Sequence, residues 1–273
     1  MIRTAFISIY VLVSFCCLSQ TARQSLTPSY IKTGAYSHNH GDVFSFSANQ
    51  AALVKISSFS VGIFSERKFM LNELNLFSAA FALPTNSGNF GLQLHHFGNS
   101  AYSEMQTGVA YGRKLGDFVD VGVQFNYYTL RITGYGNASA VNFDAGAIFH
   151  FTNQLHGGLH VYNPASSKLG KNSQERLPAV YSAGLGYDAS ENFFISTEIE
   201  KTEDQPINVN ASLQYKFAEH FLARGGVASS TAVFFLGAGF MLKNFRFDAT
   251  ASLHPQLGVT PGLLLIYTKP AKE

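Results

Sequence analysis

Residues 207–217, INVNASLQYKF, alternate strictly between apolar and polar side chains. Successive side chains of a β-strand point to opposite faces, so the odd-numbered residues from Ile207 would share one face and the even-numbered residues from Asn208 the other. A strand of about ten residues, apolar on one face and polar on the other, is typical of a bacterial outer-membrane barrel. A soluble β-sandwich can contain such a strand, so the prediction depends on recurrence.

The same alternation recurs from residue 57 to residue 268, in segments separated by turn residues. We count about fourteen strands, and the even number agrees with single-chain bacterial barrels. The sequence therefore predicts an all-β fold, a transmembrane antiparallel β-barrel over residues 57–268 with a C-terminal tail at 269–273. Both faces of residues 73–83 are apolar, and the pattern does not say which of them faces lipid. The predicted lumen-facing polar residues are Gln124, Asn126, Asn142, Asp144, Glu198, Asn208, Asn210, Gln214, Arg246 and Asp248.

The connections between these strands predict two unlike ends of the barrel. Tight turns are predicted at PTNSG, KLGD, TNQ, DASE, AEH and LKN, all on the side that carries the N-terminus. The longer connections, RITGYGNAS and residues 163–178, fall on the other side, and SERK at 65–68 is predicted as a turn after the first strand. Short turns on the periplasmic side and longer extracellular loops are typical of outer-membrane barrels.

The composition agrees with one large barrel. The chain has 273 residues with 24 glycines, 25 phenylalanines, 13 tyrosines and only 13% charged residues. Its mean hydropathy is close to neutral, +0.06, as expected when outward apolar and inward polar residues alternate. The net charge of +2 and the lack of a basic cluster argue against a nucleic-acid partner.

The N-terminus predicts export. Residues 1–19 combine one basic residue, Arg3, with an apolar run too short to span a membrane, which indicates a secretory signal peptide. We expect cleavage after Ser19, and Ala22 is the second candidate for the cleavage site. Both cysteines, Cys16 and Cys17, would leave with it, so the mature chain would have no disulfide and no thiol nucleophile. The expected location is the outer membrane of a Gram-negative bacterium.

Residues 20–56 lack sustained alternation and are predicted to form an N-terminal periplasmic or hatch segment. His38 and His40 lie in a small, polar stretch and are expected to be solvated rather than to bind a metal. The following semi-apolar stretch would expose its large side chains unless it packs inside the barrel and narrows it. Packing beneath the barrel, or forming an extra strand, is the alternative. The hatch residues predicted here are Asp42, Phe44, Phe46, Asn49, Ala51 and Leu53.

Three features resemble the FadL-like outer-membrane barrels that include PorV and PorQ of the type IX secretion system. They are SANQAAL before the first strand, GYDASENFFISTEIEK, and LQYKFAEHFLARGGV with a later HPQLG. The resemblance spans about residues 42–267. In that family an asparagine-proline-alanine motif marks the hatch. Asn49 and Ala51 match it and Gln50 replaces the proline. The resemblance implies a role in protein secretion or outer-membrane transport.

The sequence offers no pattern for catalysis, since the strand histidines such as His95 and His254 have no serine or acid at a recognisable spacing. We expect no cofactor and no enzyme activity. Inward histidines and acids such as Asp144, Glu198 and Asp248 are expected to pair with Arg224, Arg246 and Lys216. Three functions remain open: a PorV/PorQ-like accessory that binds secretion-system components or secreted proteins, a FadL-like passive channel for small hydrophobic solutes, and an outer-membrane hydrolase. Outer-membrane lipid is the partner common to all three.

Overall fold

Fourteen antiparallel strands form one closed barrel in the computed structural model, which describes residues 26–170 and 175–270. The predicted signal peptide, residues 1–19, lies outside the described residues, as do residues 271–273 of the tail. The strands are β1 (Ser60–Arg67), β2 (Asn75–Thr85), β3 (Gly88–Gly98), β4 (Tyr102–Leu115), β5 (Val119–Ile132), β6 (Gly136–His150), β7 (Leu155–Tyr162), β8 (Val180–Asp188), β9 (Phe193–Thr202), β10 (Asn208–Phe217), β11 (Phe221–Ala228), β12 (Val233–Leu242), β13 (Phe245–His254) and β14 (Gly258–Thr268).

Each strand pairs with its neighbours in sequence, and β1 pairs with β14 to close the ring. At this seam Ser60 lies opposite Thr268, and Glu66 lies opposite Gly262. Closure leaves no unpaired sheet edge, which a membrane-spanning sheet requires. The predicted all-β fold, a closed antiparallel barrel of fourteen strands, is confirmed.

The predicted alternation appears as alternating exposure along the strands. Phe125 and Leu213 are 65% and 44% exposed on the outer face, whereas Asn126 and Gln214 are buried on the inner face. The structure also shows which of the two apolar faces of β2 points outward and which points inward. Phe77 points outward, and Ser78 points inward.

Two predicted connections are wrong because the polar residues in them continue a strand. Residues 65–67 of SERK belong to β1, where Ser65 pairs with Leu263 and Arg67 with Asn75. The RITGYGNAS stretch is a long hairpin rather than a loop, since β5 and β6 pair up to Ile132 opposite Gly136. Gly134 and Gly136 adopt φ values of +86° and +100°, which allow the chain to reverse over residues 133–135.

The two ends of the barrel differ. We call the end with the connections 86–87, 116–118, 151–154, 189–192, 218–220 and 243–244 the short-turn end, and the opposite end the long-loop end. In the longest connection, between β7 and β8, the Gly170 N–H donates to the Ser139 carbonyl of β6, beyond the end of β7, at 2.9 Å. Leu169 and Leu177 of this connection pack against Tyr128 inside the barrel.

The helical elements are short: the α-helix α1 (Ser29–Lys32) and 3₁₀ turns at Ser45–Ser47, Gln50–Lys55 and Lys68–Met70. Within residues 26–170 and 175–270, none of the helices has the length and apolar character that a membrane span needs.

Candidate functional site: the segment inside the barrel

Residues 26–59, which we call the inner segment, precede β1 and pack against inward-facing residues of the barrel. Six of its apolar side chains are almost fully buried in one cluster with side chains of β1, β2, β4, β12 and β14. Phe44 and Leu53 belong to this cluster together with Phe64 and Leu264. Burying large apolar side chains stabilises such packing by about 1.5–3 kcal/mol each. The full cluster comprises Tyr30, Ile31, Val43, Phe44, Phe46, Leu53, Phe64, Leu76, Ala80, Ala82, Ala110, Phe235, Leu264 and Ile266.

An ion cluster joins the inner segment to β11 and β13. Asp42 Oδ2 accepts from Arg224 Nη2 at 2.8 Å and from Arg246 Nη1 at 2.9 Å, while Asp42 Oδ1 accepts from the Phe44 N–H at 2.9 Å. Arg246 also pairs with Asp248. Burial raises the pKa of Asp42, but the two arginines outweigh burial and hold this pKa below its ordinary value. The carboxylate is therefore charged at neutral pH and holds the segment to two strands at once.

Two tyrosines of the inner segment reach acids on the barrel wall. The Tyr30 hydroxyl donates to Asp248 Oδ2 at 2.7 Å, and the Tyr36 hydroxyl donates to Glu198 Oε2 at 2.6 Å. Burial, with the neighbouring Glu198 charge, raises the pKa of Tyr36 well above its ordinary value. Both hydroxyls therefore remain donors throughout the physiological range.

Inward glycines provide the space for these rings. A Cβ on Gly184 would collide with the ring of Tyr36, and one on Gly237 would collide with the ring of Tyr30. These strand glycines are sites where the inner segment approaches the backbone closely.

The side chain of Asn49 hydrogen-bonds the second half of the inner segment to the barrel wall. Its Oδ1 accepts from the Ala51 N–H at 3.1 Å, which caps the 3₁₀ turn that follows. Its Nδ2 donates to the carbonyls of Ala147 and Leu159, at 3.2 and 3.0 Å. Because these contacts need a short amide side chain, the residue that matched the family motif has a definite structural role here. Ala51 is fully buried.

A polar cluster closes the short-turn end. Asp188, at the end of β8, accepts from Ser37 Oγ at 2.5 Å and from the His38 N–H at 2.8 Å. His40 Nδ1 lies 2.9 Å from Gln214 Nε2, and His40 Nε2 lies 3.4 Å from the Ser190 carbonyl. Burial and the nearby Lys216 charge lower the pKa of His40. His38 is exposed, as predicted for a solvated residue, whereas His40 is 2% exposed and its expected solvation is wrong.

The six residues predicted for a hatch all lie in the inner segment. Phe44, Phe46 and Leu53 belong to its apolar cluster, and Asp42, Asn49 and Ala51 make the contacts described above.

The ten polar residues predicted for the lumen lie on the inward sides of their strands. Asn126 Nδ2 donates to Asn142 Oδ1 at 2.8 Å and to Asp144 Oδ2 at 2.9 Å, and Gln124 donates to Asn126 at 2.6 Å. Asn210 Nδ2 donates to Glu198 at 3.4 Å, and Asn208 donates to Asn210 at 3.0 Å. Gln214 Oε1 accepts from Arg224 Nε at 2.5 Å, while Arg246 and Asp248 pair directly.

The predicted ion pairing is partly wrong. Glu198 is bound by Tyr36 and Asn210, and Asp144 by the Gln124 and Asn126 amides, rather than by arginines. Arg224 instead reaches Asp42 of the inner segment. The pairing could not be foreseen because strand alternation says which residues point inward but not what fills the interior.

The structure also brings a serine to a strand histidine. Ser78 Oγ on β2 lies 2.7 Å from His95 Nδ1 on β3, and Gln93 contacts the other ring nitrogen. Both side chains are buried, at 4% and 2% exposed. The surrounding strand amides take part in the ladders with β1 and β3, so they are not free to stabilise an oxyanion. We interpret the pair as a satisfied interior hydrogen bond.

The geometry therefore defines a fourteen-strand barrel whose interior is packed by its own N-terminal segment. No family model and no curated protein matches the chain. The solved structures that it resembles include two toluene transporters. The toluene transporter TbuX of Ralstonia pickettii superposes with a TM-score of 0.62 at 12% identity, over 85% of this chain and 94% of TbuX. The toluene transporter TodX of P. putida superposes with a TM-score of 0.61 at 10% identity, over 91% of this chain and 100% of TodX.

A FadL homologue of Pseudomonas aeruginosa gives a TM-score of 0.54 at 13% identity, over 86% of this chain and 94% of the homologue. At these identities the likeness establishes a shared barrel fold.

Proposed function

We propose that this chain is an outer-membrane channel of a Gram-negative bacterium for small hydrophobic solutes, and that residues 26–59 are its hatch. The apolar cluster inside the barrel carries this proposal. A channel for polar solutes needs a wet lumen, whereas Phe44, Phe46 and Leu53 are buried in one apolar cluster with Phe64 and Leu264, which would surround an apolar molecule when the segment shifts. In this placement the short-turn end is periplasmic.

The fold of hydrocarbon transporters supports the same function. It favours the FadL-like channel over the PorV/PorQ-like secretion role. The neighbours are transporters rather than enzymes, and this is consistent with a channel that makes no covalent change to its solute.

The test is to lock the hatch to the wall reversibly. Leu53 and Gly112 suit this purpose, because a Cβ on Gly112 would lie 2.9 Å from the Leu53 Cβ. A disulfide needs about 3.5–4.5 Å between Cβ atoms, so a shift of roughly half an ångström makes the pair bridgeable. The chain's own two cysteines, Cys16 and Cys17, lie in the predicted signal peptide.

Cells that express the Leu53→Cys, Gly112→Cys double variant would be assayed for uptake of labelled toluene before and after reduction. We expect slow uptake when oxidised and recovery to the wild-type rate when reduced, with either single-cysteine variant unaffected by reductant. Equal uptake in the oxidised and reduced states would contradict a hatch at this position. Wild-type uptake no faster than in cells without the protein would contradict the channel itself.

A further inference from the structure

The connection between β7 and β8 enters the barrel at the long-loop end. We call its described residues, 163–170 and 175–179, the lid. Leu169 and Leu177 of the lid are 1% and 2% exposed, and they form one cluster with Tyr128 and other inward residues of β5 and β6. Because Tyr128 lies on the inner face of β5, these two leucines cover the lumen on that side of the barrel.

Asn163 fixes the base of the lid. Its side chain is fully buried, and its Nδ2 donates to the Leu177 carbonyl at 2.7 Å while its Oδ1 accepts from the Ser167 N–H at 3.1 Å. Beyond this base, the bond from the Gly170 N–H to the Ser139 carbonyl ties the lid to β6. Each barrel strand, in contrast, is paired with a neighbour on both sides. The lid is therefore held less firmly than the wall and can open while the barrel stays closed.

Leu26, the first described residue of the inner segment, joins the lid to the rest of the interior. It packs against the lid cluster and also against the apolar cluster of the inner segment. The lid cluster includes Tyr128 on β5, and the cluster of the inner segment includes Phe235 on β12. These two strands are seven positions apart in the ring of fourteen, which is the greatest separation possible. A contiguous apolar layer with Leu26 in it therefore crosses the lumen between opposite walls.

We propose that the lid is a second gate of the channel and that Leu26 couples this gate to the hatch. The proposal rests on the channel function proposed above, in which the long-loop end is extracellular and a solute meets the lid before the hatch. When the lid opens, Leu26 loses one of its two apolar partners, so the hatch is displaced more easily. Coupling of this kind is reciprocal, and displacement of the hatch also loosens the lid. A connection that only filled the lumen would have neither effect.

A disulfide between the lid and β6 would lock this gate. A Cβ on Gly170 would lie 3.7 Å from the Ala138 Cβ. Disulfides need about 3.5–4.5 Å between these atoms, so the pair is bridgeable as it stands. Gly170 has a φ of +81°, and the Gly170→Cys single variant therefore controls for backbone strain. The Ala138→Cys single variant is the second control.

The gate is tested by uptake of labelled toluene into cells that express the Ala138→Cys, Gly170→Cys double variant. We expect slow uptake when the disulfide is oxidised, recovery when it is reduced, and no effect of reductant on either single variant. Equal uptake in the oxidised and reduced states would overturn the lid as a gate. If the Leu53–Gly112 lock slows uptake in the same experiment, the channel and its hatch remain supported.

The coupling is tested on the purified double variant by hydrogen exchange, without any solute. The amides of residues 43–55 report opening of the hatch, and we expect them to exchange at least about fivefold more slowly in the oxidised protein than in the reduced protein. Adding Leu26→Ala should bring this ratio close to one. Ile56→Ala is the matched control, since among the described residues Leu26 packs on both clusters and Ile56 on that of the inner segment.

A ratio near one in the double variant would overturn the coupling, and a ratio that survives Leu26→Ala would overturn the role of Leu26. If the disulfide does not form, Asn163→Gly opens the lid instead. Glycine accommodates the φ of +48° at this position and removes both amide bonds, so uptake and exchange should each become faster. Unchanged uptake and exchange in Asn163→Gly would overturn the proposal. Failure of the channel itself would appear as missing toluene uptake in the wild type, whereas the exchange ratio is measured without solute.

Discussion

Asp42 Oδ2 lies 2.8 Å from Nη2 of Arg224, a residue 182 positions later in the chain, in a contact where the arginine side chain is fully buried. The same oxygen accepts from Arg246. One carboxylate of the inner segment thus compensates two guanidinium groups of the barrel wall, and its removal leaves both of them with less charge compensation in a poorly hydrated interior.

Asp42→Asn is therefore expected to release the inner segment. Breaking a buried ion pair by removing one partner costs about 3–5 kcal/mol. Single-channel conductance in planar bilayers should rise, and the temperature at which the folded band disappears on gels should fall. Asp117→Asn is the control, because the Lys114–Asp117 pair is exposed and joins the end of β4 to the turn that follows it. An Asp42→Asn protein with wild-type conductance and thermal stability would show that the ion cluster does not hold the segment.

Gly184→Ala is expected to displace the ring of Tyr36 from its position against β8. The added methyl group would collide with the tyrosine ring, and overpacking of this kind costs about 1–3 kcal/mol. Trypsin should then cleave the inner segment after Lys32 or Lys55 faster than in the wild type. Gly225→Ala is the matched control, since a Cβ there meets only the Phe235 carbonyl, at 3.4 Å. Equal cleavage rates in the two variants would argue that Gly184 does not make room for the inner segment.

Arginine should be rejected on the outer face of β10 and accepted better on the inner face. Leu213→Arg is expected to cost about 2–4 kcal/mol near the middle of the bilayer, because only lipid surrounds that side chain. Ser212→Arg should cost less, since its guanidinium would point into the interior, where Glu198 lines the same small cavity and can pair with it. Refolding into vesicles with denaturant titration measures both values. Similar losses for the two variants would contradict the strand register.

Acidification should weaken the closure of the short-turn end through His40. Gln214 Oε1 is engaged by Arg224, which orients the Gln214 amide nitrogen toward His40 Nδ1 and requires that nitrogen to accept. A proton on Nδ1 places two donors face to face. Burial lowers the pKa of His40 below its usual 6.5. Since the unfolded chain binds this proton more readily, stability is complete above pH 6.5 and falls as the pH drops toward the folded-state value.

The unfolding temperature of the wild type should accordingly fall between pH 7.5 and pH 5, and His40→Gln should reduce the difference. Glutamine supplies an amide oxygen that can accept from Gln214 and does not titrate in this range. A His40→Gln protein with an unchanged pH dependence would show that His40 does not carry the effect.

The alternation of apolar and polar residues predicted most of the barrel wall, because lipid on the outer face and the polar interior on the inner face each select one type of side chain. Lipid requires Leu213 and Phe125 outside, and the interior requires Gln214 and Asn126 to find hydrogen bonds. Near the rims this rule weakens, since polar side chains are tolerated on both faces there. The extensions of β1 through Arg67 and of β5 through Ile132 were consequently missed.

The contacts of the inner segment could be predicted far less well. Asp42 has arginine partners 182 and 204 residues away, and no local pattern encodes such a pairing. One signal was present. Gly184 and Gly237 interrupt the inward face of their strands, where a polar side chain would be expected, and each accommodates a tyrosine of the inner segment. Inward glycines in a barrel strand therefore indicate that another part of the chain approaches the wall.

The seam between β1 and β14 constrains how the molecule can assemble. Its partners, such as Ser60 and Thr268, are about as far apart in sequence as the barrel allows, so the ring cannot close before the last strand is available. Phe44 of the inner segment belongs to one apolar cluster with Phe64 on one side of the seam and Leu264 on the other. We expect the final closing step to be slow, and to be slower still in a chain that lacks residues 26–59, because those residues supply the surface around which the two end strands meet.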